Sequence, residues 1–117
     1  QRRSYLAGRY TEAFAGIPGL ACPEQLPHAA SGWHLYVLRF LEQERGQAFA
    51  RLREAGIGVN VHYIPVYRHP YYRKHGYQDT FCPHAEQLYQ HMLSLPLYPG
   101  LTEEQQDVVI EQVKKLV

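Results

Sequence analysis

An α+β fold, a small three- to four-stranded, mostly antiparallel sheet with helices packed on one side, is what this sequence predicts, and three observations carry it. Residues 33–40, Trp33-His34-Leu35-Tyr36-Val37-Leu38-Arg39-Phe40, are aromatic and β-branched on both alternations, which marks a central strand covered on both faces. Ile57, Val59, Val61 and Tyr63 alternate with Gly58, Asn60, His62 and Ile64, the period-two pattern of a strand with one core face. Around these runs, apolar residues recur at helical spacing in four other stretches. Helices and strands in that proportion pack as layers.

The first helix spans residues 2–15, with Leu6, Tyr10, Ala13 and Phe14 on its apolar face, Ile17 continuing the spacing, and Arg2, Arg3, Arg9 and Glu12 opposite. Residues 18–32 contain Pro18, Gly19, Pro23, Pro27 and Gly32, too many breakers for a long element, so an irregular connection with a short strand near Leu20 is expected. After the strand at 33–40, Ala48, Phe49, Leu52 and Ala55 repeat at helical spacing from about Glu44, and Gly56 follows as a stop. The strand at 57–64 then runs into Pro65-Val66-Tyr67-Arg68-His69-Pro70. Two prolines hold this segment as an extended excursion rather than a central strand.

Tyr71 to His75 forms one short helical turn closed by Gly76. Pro83 opens the next helix at a first helical position, with Ala85, Leu88, Tyr89 and Met92 along one face. Leu93 to Leu97 is a short strand that Pro96 forces to end or lie at an edge. Thr102-Glu103-Glu104-Gln105 is a capping box, and the last helix runs to Leu116 with Val109, Val113, Leu116 and Val117 as its buried stripe.

With 117 residues the chain is one domain by size and can bury a core without metal or disulfide staples. Twelve basic against eleven acidic residues, with no long run of either sign, argue against nucleic acid or an anionic membrane as partner. No stretch reaches the roughly 18 apolar residues of a membrane span, and Gln1-Arg2-Arg3-Ser4 is followed by an amphipathic pattern, not a signal-peptide core. Cys22 and Cys82, the two cysteines, read as free thiols, and a cytoplasmic protein is the expectation.

Seven histidines raise the question of a metal, and their spacing answers against one. His84 and His91 on one helix would lie about 10 Å apart along its axis, and His62, His69 and His75 match no compact zinc pattern. Ser4, Ser31 and Ser94 have no nucleophile-elbow context, and Cys82 before Pro83 reads as a helix-start residue. The glycines at 56 and 58 precede a strand, unlike a phosphate loop. The three lysines, Lys74, Lys114 and Lys115, lie in polar surroundings that suit no Schiff base. There remain His62, Tyr63, Tyr67, Arg68 and His69. Either Tyr63 belongs to the core and His62 caps a strand end, or the strand presents a histidine and tyrosines to an anionic or hydroxyl-rich ligand.

The run from Gly56 to Tyr72, the helix start Cys82-Pro83-His84-Ala85-Glu86, and Leu93-Ser94-Leu95-Pro96-Leu97-Tyr98-Pro99-Gly100-Leu101-Thr102 with the Val109 helix resemble the C-terminal part of the DegT-type nucleotide-sugar aminotransferases. The subgroup most similar aminates a UDP-4-keto-6-deoxy-hexosamine on the way to pseudaminic acid, although many members carry histidine where this chain has Tyr67. The resemblance implies the small C-terminal domain, residues 1–117, of a fold-type-I homodimer whose pyridoxal 5′-phosphate, lysine and phosphate ligands belong to a large N-terminal domain. Residues 1–15 would link the two. It further implies a UDP-sugar substrate, glutamate as donor, and His62, Tyr63, Ile64 and Pro65 lining the sugar-nucleotide side of the cleft, with Tyr67 and Arg68 as weaker candidates. No catalytic residue transfers to this chain, which by itself is expected to hold no cofactor and to be inactive. The alternative is a free-standing module that binds a small polar ligand or a partner protein through a tyrosine-rich face.

Overall fold

A computed structural model describes residues 1–117, and an antiparallel sheet of three strands in sequence order stands at its centre: β1 (Leu20–Ala21), β2 (Tyr36–Phe40) and β3 (Met92–Leu95). The register pairs Leu20 with Phe40, Tyr36 with Leu95 and Leu38 with Leu93. These residues alternate along each strand, so they share a face, and that face is buried against α1 (Arg2–Phe14), α2 (Arg45–Glu54) and α5 (Glu103–Lys114). Leu6, Tyr10 and Phe14 from α1, Ala48 and Leu52 from α2, and Val109 and Val113 from α5 complete one continuous core. The α+β class is thus as the sequence predicts, as is the central place of β2 in its sheet.

Helix ends follow local chemistry. The Glu44 carboxylate caps α2 by accepting the N–H groups of Gly46 and Gln47, both at 2.9 Å. Gly56, at φ +80°, ends the same helix: its N–H reaches Arg53 O at 3.0 Å and the Ile57 N–H reaches Leu52 O at 2.9 Å. At the start of α5 the predicted capping box is present in both directions, Gln105 N–H to Thr102 Oγ1 and Thr102 N–H to Gln105 Oε1, each 3.1 Å.

Several expectations are corrected. The strand starting at Trp33 begins only at Tyr36, because Trp33 has left-handed backbone, φ 45°, which no strand accommodates. Val37 and Arg39 alternate with buried neighbours, so β2 is not fully covered on both faces. The alternating run from Ile57 is not a strand: the Val59 N–H turns back to Ile57 O at 3.0 Å, and only Asn60 pairs, as a single bridge to Ser94. Ile57 and Val59 are buried as the alternation predicts, whereas Tyr63 is 70% exposed. Val117 is exposed too, leaving Val109, Val113 and Leu116 as the stripe of α5.

The remaining correction concerns the second face of the sheet. Leu93 and Leu95 point into the core, so Met92 and Ser94 point away from it, and both are nevertheless buried. Arg39, in register with Met92, lines one cavity with His84, Gln87 and His91, which places α4 (Pro83–His91) on this side. The His91 Nδ1–H donates to Phe40 O at 2.8 Å and ties the end of α4 to β2. Helices therefore lie on both sides of the sheet, not one, with α4 covering the second face only in part. On α4 the buried residue is Glu86, while the expected core residue Leu88 is exposed.

Candidate functional site

The bridge between Asn60 and Ser94, with N–H to O distances of 3.2 and 2.8 Å, brings the chain leaving α2 alongside β3. Just beyond it, His62 Nδ1 and Ser94 Oγ share a hydrogen bond of 3.0 Å. Ser94 is buried in β3, so the imidazole is fixed at one edge to a rigid element while the rest of the ring is half-buried at the surface. Tyr63 meets the His62 ring edge-on, centroids 4.7 Å apart, and Tyr63 and Ile64 are exposed.

Pro65 is buried and starts a tight 3₁₀ turn over Val66–Arg68, in which Arg68 N–H donates to Pro65 O at 2.9 Å and His69 N–H to Val66 O at 3.1 Å. This turn places Tyr67 inside and Arg68 beside α4. The Tyr67 hydroxyl donates to Glu86 Oε1 at 2.6 Å and accepts the Cys82 N–H at 3.1 Å. Arg68 donates to both oxygens of the same carboxylate, through Nε at 3.0 Å to Oε1 and through Nη2 to Oε2. A helix of residues 70–72, α3, and a wider turn over 73–77 carry the chain on, with Gly76 at φ +95° reversing it.

The six residues singled out in the sequence thus fall into two groups. His62, Tyr63 and Ile64 face outward, offering an imidazole, a phenol and an apolar side chain on one short stretch. Pro65, Tyr67 and Arg68 turn toward the protein, and the polar ends of Tyr67 and Arg68 are engaged by Glu86. Beside them lies a cavity of about 180 Å³ lined by Tyr67, Arg68, Arg73, Thr80, Phe81 and Glu86. Glu86 and Ser94 were not singled out from the sequence. The available signal for Glu86 was its position three residues before Tyr89, on the flank of α4 that turns inward. Ser94 had a weaker one, a polar residue between leucines in a strand.

Hydrogen-bonding side chains on a fixed backbone suit recognition of a hydroxylated or anionic ligand. Two hydroxyls do lie beside a base, Ser94 Oγ at His62 Nδ1 and Tyr67 at the Glu86 carboxylate, but both residues are buried, so neither is presented as a nucleophile. Lys74, Lys114 and Lys115 are all exposed, so the chain has no desolvated amine to seat pyridoxal phosphate, and its residues do not fit that group on their own. No three His, Cys, Asp or Glu side chains are placed to hold a metal ion. Cys82 is exposed and caps α4 only by position, without a side-chain hydrogen bond.

Burial, and next its hydrogen bond to the Glu86 carboxylate, push the Tyr67 phenol above its ordinary range. Burial does the same to Tyr10 and Tyr36 in the main core. The unfolded chain ionises its tyrosines near pH 10, while the fold keeps these three neutral to higher pH. Their contribution is therefore complete below about pH 10 and is lost as pH rises toward the folded values. We expect the urea midpoint to hold from pH 8 to about pH 10 and to fall by pH 11; an unchanged midpoint would contradict this account.

Comparison with known proteins gives a consistent picture. Residues 1–114 match the DegT/DnrJ/EryC1/StrS aminotransferase family. The spore coat polysaccharide biosynthesis protein SpsC of Bacillus subtilis is 42% identical over 100% of this chain and 32% of its own length. The dTDP-3-amino-3,4,6-trideoxy-alpha-D-glucose transaminase of Streptomyces venezuelae is 34% identical over 97% of this chain and 30% of its own. Among solved structures, the PMP form of the putative sugar aminotransferase Spr1654 from Streptococcus pneumoniae superposes with a TM-score of 0.91 at 31% identity, covering 99% of this chain and 30% of that one. Helicobacter pylori PseC, an aminotransferase involved in the biosynthesis of pseudoaminic acid, shares the fold with a TM-score of 0.84 at 24% identity, over 99% of this chain and 32% of that one. The chain spans about a third of the length of the relatives it matches.

Proposed function

Because the chain belongs to the DegT/DnrJ/EryC1/StrS aminotransferase family, we propose that it is the C-terminal small domain of a nucleotide-sugar aminotransferase and forms one wall of the substrate cleft. The observation that carries this is the pairing of a family match over residues 1–114 with an outward-facing His62-Tyr63-Ile64 stretch held against β3. In the whole enzyme, pyridoxal phosphate supplies the electron sink for amino transfer from glutamate. The lysine that binds it belongs to a preceding large domain, reached through α1, and the whole enzyme is a cytoplasmic homodimer. This chain's part is to orient the sugar nucleotide. His62 and Tyr63 offer hydrogen bonds to sugar hydroxyls or phosphate oxygens, and Ile64 offers an apolar edge.

The run His62-Tyr63-Ile64-Pro65-Val66-Tyr67 supports the finer reading that the substrate is a UDP-linked 4-keto-6-deoxy sugar, on a route to pseudaminic acid and cell-surface glycans such as lipopolysaccharide or glycosylated flagellin. A second reading, a dTDP-linked sugar, is favoured by the relative named for a dTDP-amino-sugar. The test is kinetic. In the full-length enzyme carrying this segment, Tyr63→Ala and His62→Ala are each expected to raise KM for the nucleotide sugar about tenfold, the loss of one good hydrogen bond, with KM for glutamate unchanged. An unchanged sugar KM would remove these residues from the site. Comparing UDP- and dTDP-linked 4-keto sugars then separates the two substrates.

A further inference from the structure

Residues 68–84 are exposed without exception, and Tyr63, Ile64 and Val66 before them are exposed as well. A segment of that length with so little burial needs a specific anchor to hold one conformation. Between Pro65 and Ala85 the only buried side chain is that of Tyr67, and its hydroxyl ends on Glu86. Arg68, the next residue, ends on the same carboxylate and lies 5.4 Å above the Tyr89 ring. Glu86 itself is 4% exposed. One carboxylate on α4 therefore collects the O–H of Tyr67 and two N–H groups of Arg68, and Tyr67 in turn receives the N–H of Cys82.

Two further facts define what this cluster can do. Tyr67 lies outside the main hydrophobic core, and Glu86 stands on α4, on the other side of the sheet from α1, α2 and α5. The cluster's other end lies close to the outward stretch: Tyr67 is three residues from Ile64 and four from Tyr63, with only a proline and a valine between. His62 is tied separately to Ser94. Tyr63 and Ile64 are thus suspended between two fixed points without being buried themselves.

We propose that Glu86 is the positioning residue of this site: it sets where Tyr63 and Ile64 stand, acting through Tyr67 and Arg68 and not by touching ligand. This rests on the cleft-wall reading for its functional consequence, but the anchoring is a property of this chain alone. It also gives Tyr67 and Arg68 a different task from direct substrate contact. The Tyr67 hydroxyl and the Nε and Nη2 groups of Arg68 are engaged by Glu86, which leaves only the outer guanidinium edge of Arg68, on a side chain 41% exposed, open to a ligand.

Amide hydrogen exchange on the 117-residue chain tests the anchoring without any ligand. Glu86→Ala is expected to speed exchange of the Arg68 and His69 amides about tenfold or more, while the Leu38 and Leu93 amides in the sheet change less than about twofold. Glu86→Gln keeps an oxygen for the Tyr67 hydroxyl and loses the charge that holds Arg68, so it should fall between wild type and Glu86→Ala. Equal acceleration at all four amides, or none at Arg68 and His69, overturns the proposal. The second measurement uses the full-length enzyme, where Glu86→Ala should raise KM for the nucleotide sugar with little change in kcat, and Glu86→Gln should recover part of it. Faster exchange with an unchanged KM also overturns the proposal, provided Tyr63→Ala raises KM. If Tyr63→Ala leaves KM unchanged while the exchange pattern is as expected, the cleft-wall reading fails and the anchoring role stands.

Discussion

Tyr10→Ala is expected to lower stability by about 3–5 kcal/mol, the range for removing a large buried aromatic side chain. Tyr10 is fully buried, stacks on Phe14 with centroids 5.8 Å apart, and meets Tyr36 at 5.0 Å. It thereby joins α1 to β2 in the middle of the core. Its hydroxyl also donates to Pro96 O at 2.9 Å, fixing the chain as it leaves β3. Tyr10→Phe keeps the ring and removes only that bond, so it should cost about 1 kcal/mol. The two variants, measured by urea unfolding, separate packing from hydrogen bonding. Similar losses for both would mean that the polar tip, not the ring, dominates, contrary to this account.

Gln106→Ala is the second large effect, expected at about 2–4 kcal/mol. Gln106 is fully buried between α5 and α1: its Nε2 donates to Leu6 O at 2.7 Å, and its Oε1 accepts from Arg9 Nη1 at 2.7 Å. Arg9 also meets Asp107 at 2.8 Å, but that aspartate is more than half exposed, and exposed pairs contribute little. The buried amide should therefore outweigh the visible ion pair. Asp107→Ala is expected to cost under about 1 kcal/mol, and Gln106→Leu, which restores volume but not polarity, should recover part of the loss. If Asp107→Ala costs as much as Gln106→Ala, the helix pair is held by charge and the ranking is wrong.

The fold was legible in the sequence wherever local chemistry and tertiary packing point the same way. Gly56 stops α2, Pro83 starts α4, and Thr102 with Gln105 caps α5, each at the expected residue, because a cap is a contact between near neighbours. The alternation from Ile57 misled for the opposite reason. A strand needs a partner along its whole length, and here backbone pairing ends at Asn60, opposite Ser94. At the candidate site, the sequence singled out His62, Tyr63, Ile64, Pro65, Tyr67 and Arg68, and the structure brings all of them onto one excursion between Asn60 and α4. What it could not show was Glu86, which lies eighteen residues from Arg68 in the chain and within hydrogen-bond reach in space.

By itself the sequence determined the α+β class, the stop of α2 and the starts of α4 and α5, the placement of β2 in the centre of the sheet and the resemblance to sugar aminotransferases, since each is written in short-range periodicity or in runs of adjacent residues. Only the tertiary structure decided which side chains face outward and which serve as anchors. Tyr63 and Tyr67 are the same residue type four positions apart, yet one is 70% exposed and the other is closed over a buried carboxylate. The difference arises because α4 brings Glu86 to Tyr67 and nothing comparable to Tyr63, and that placement depends on how the second face of the sheet is covered.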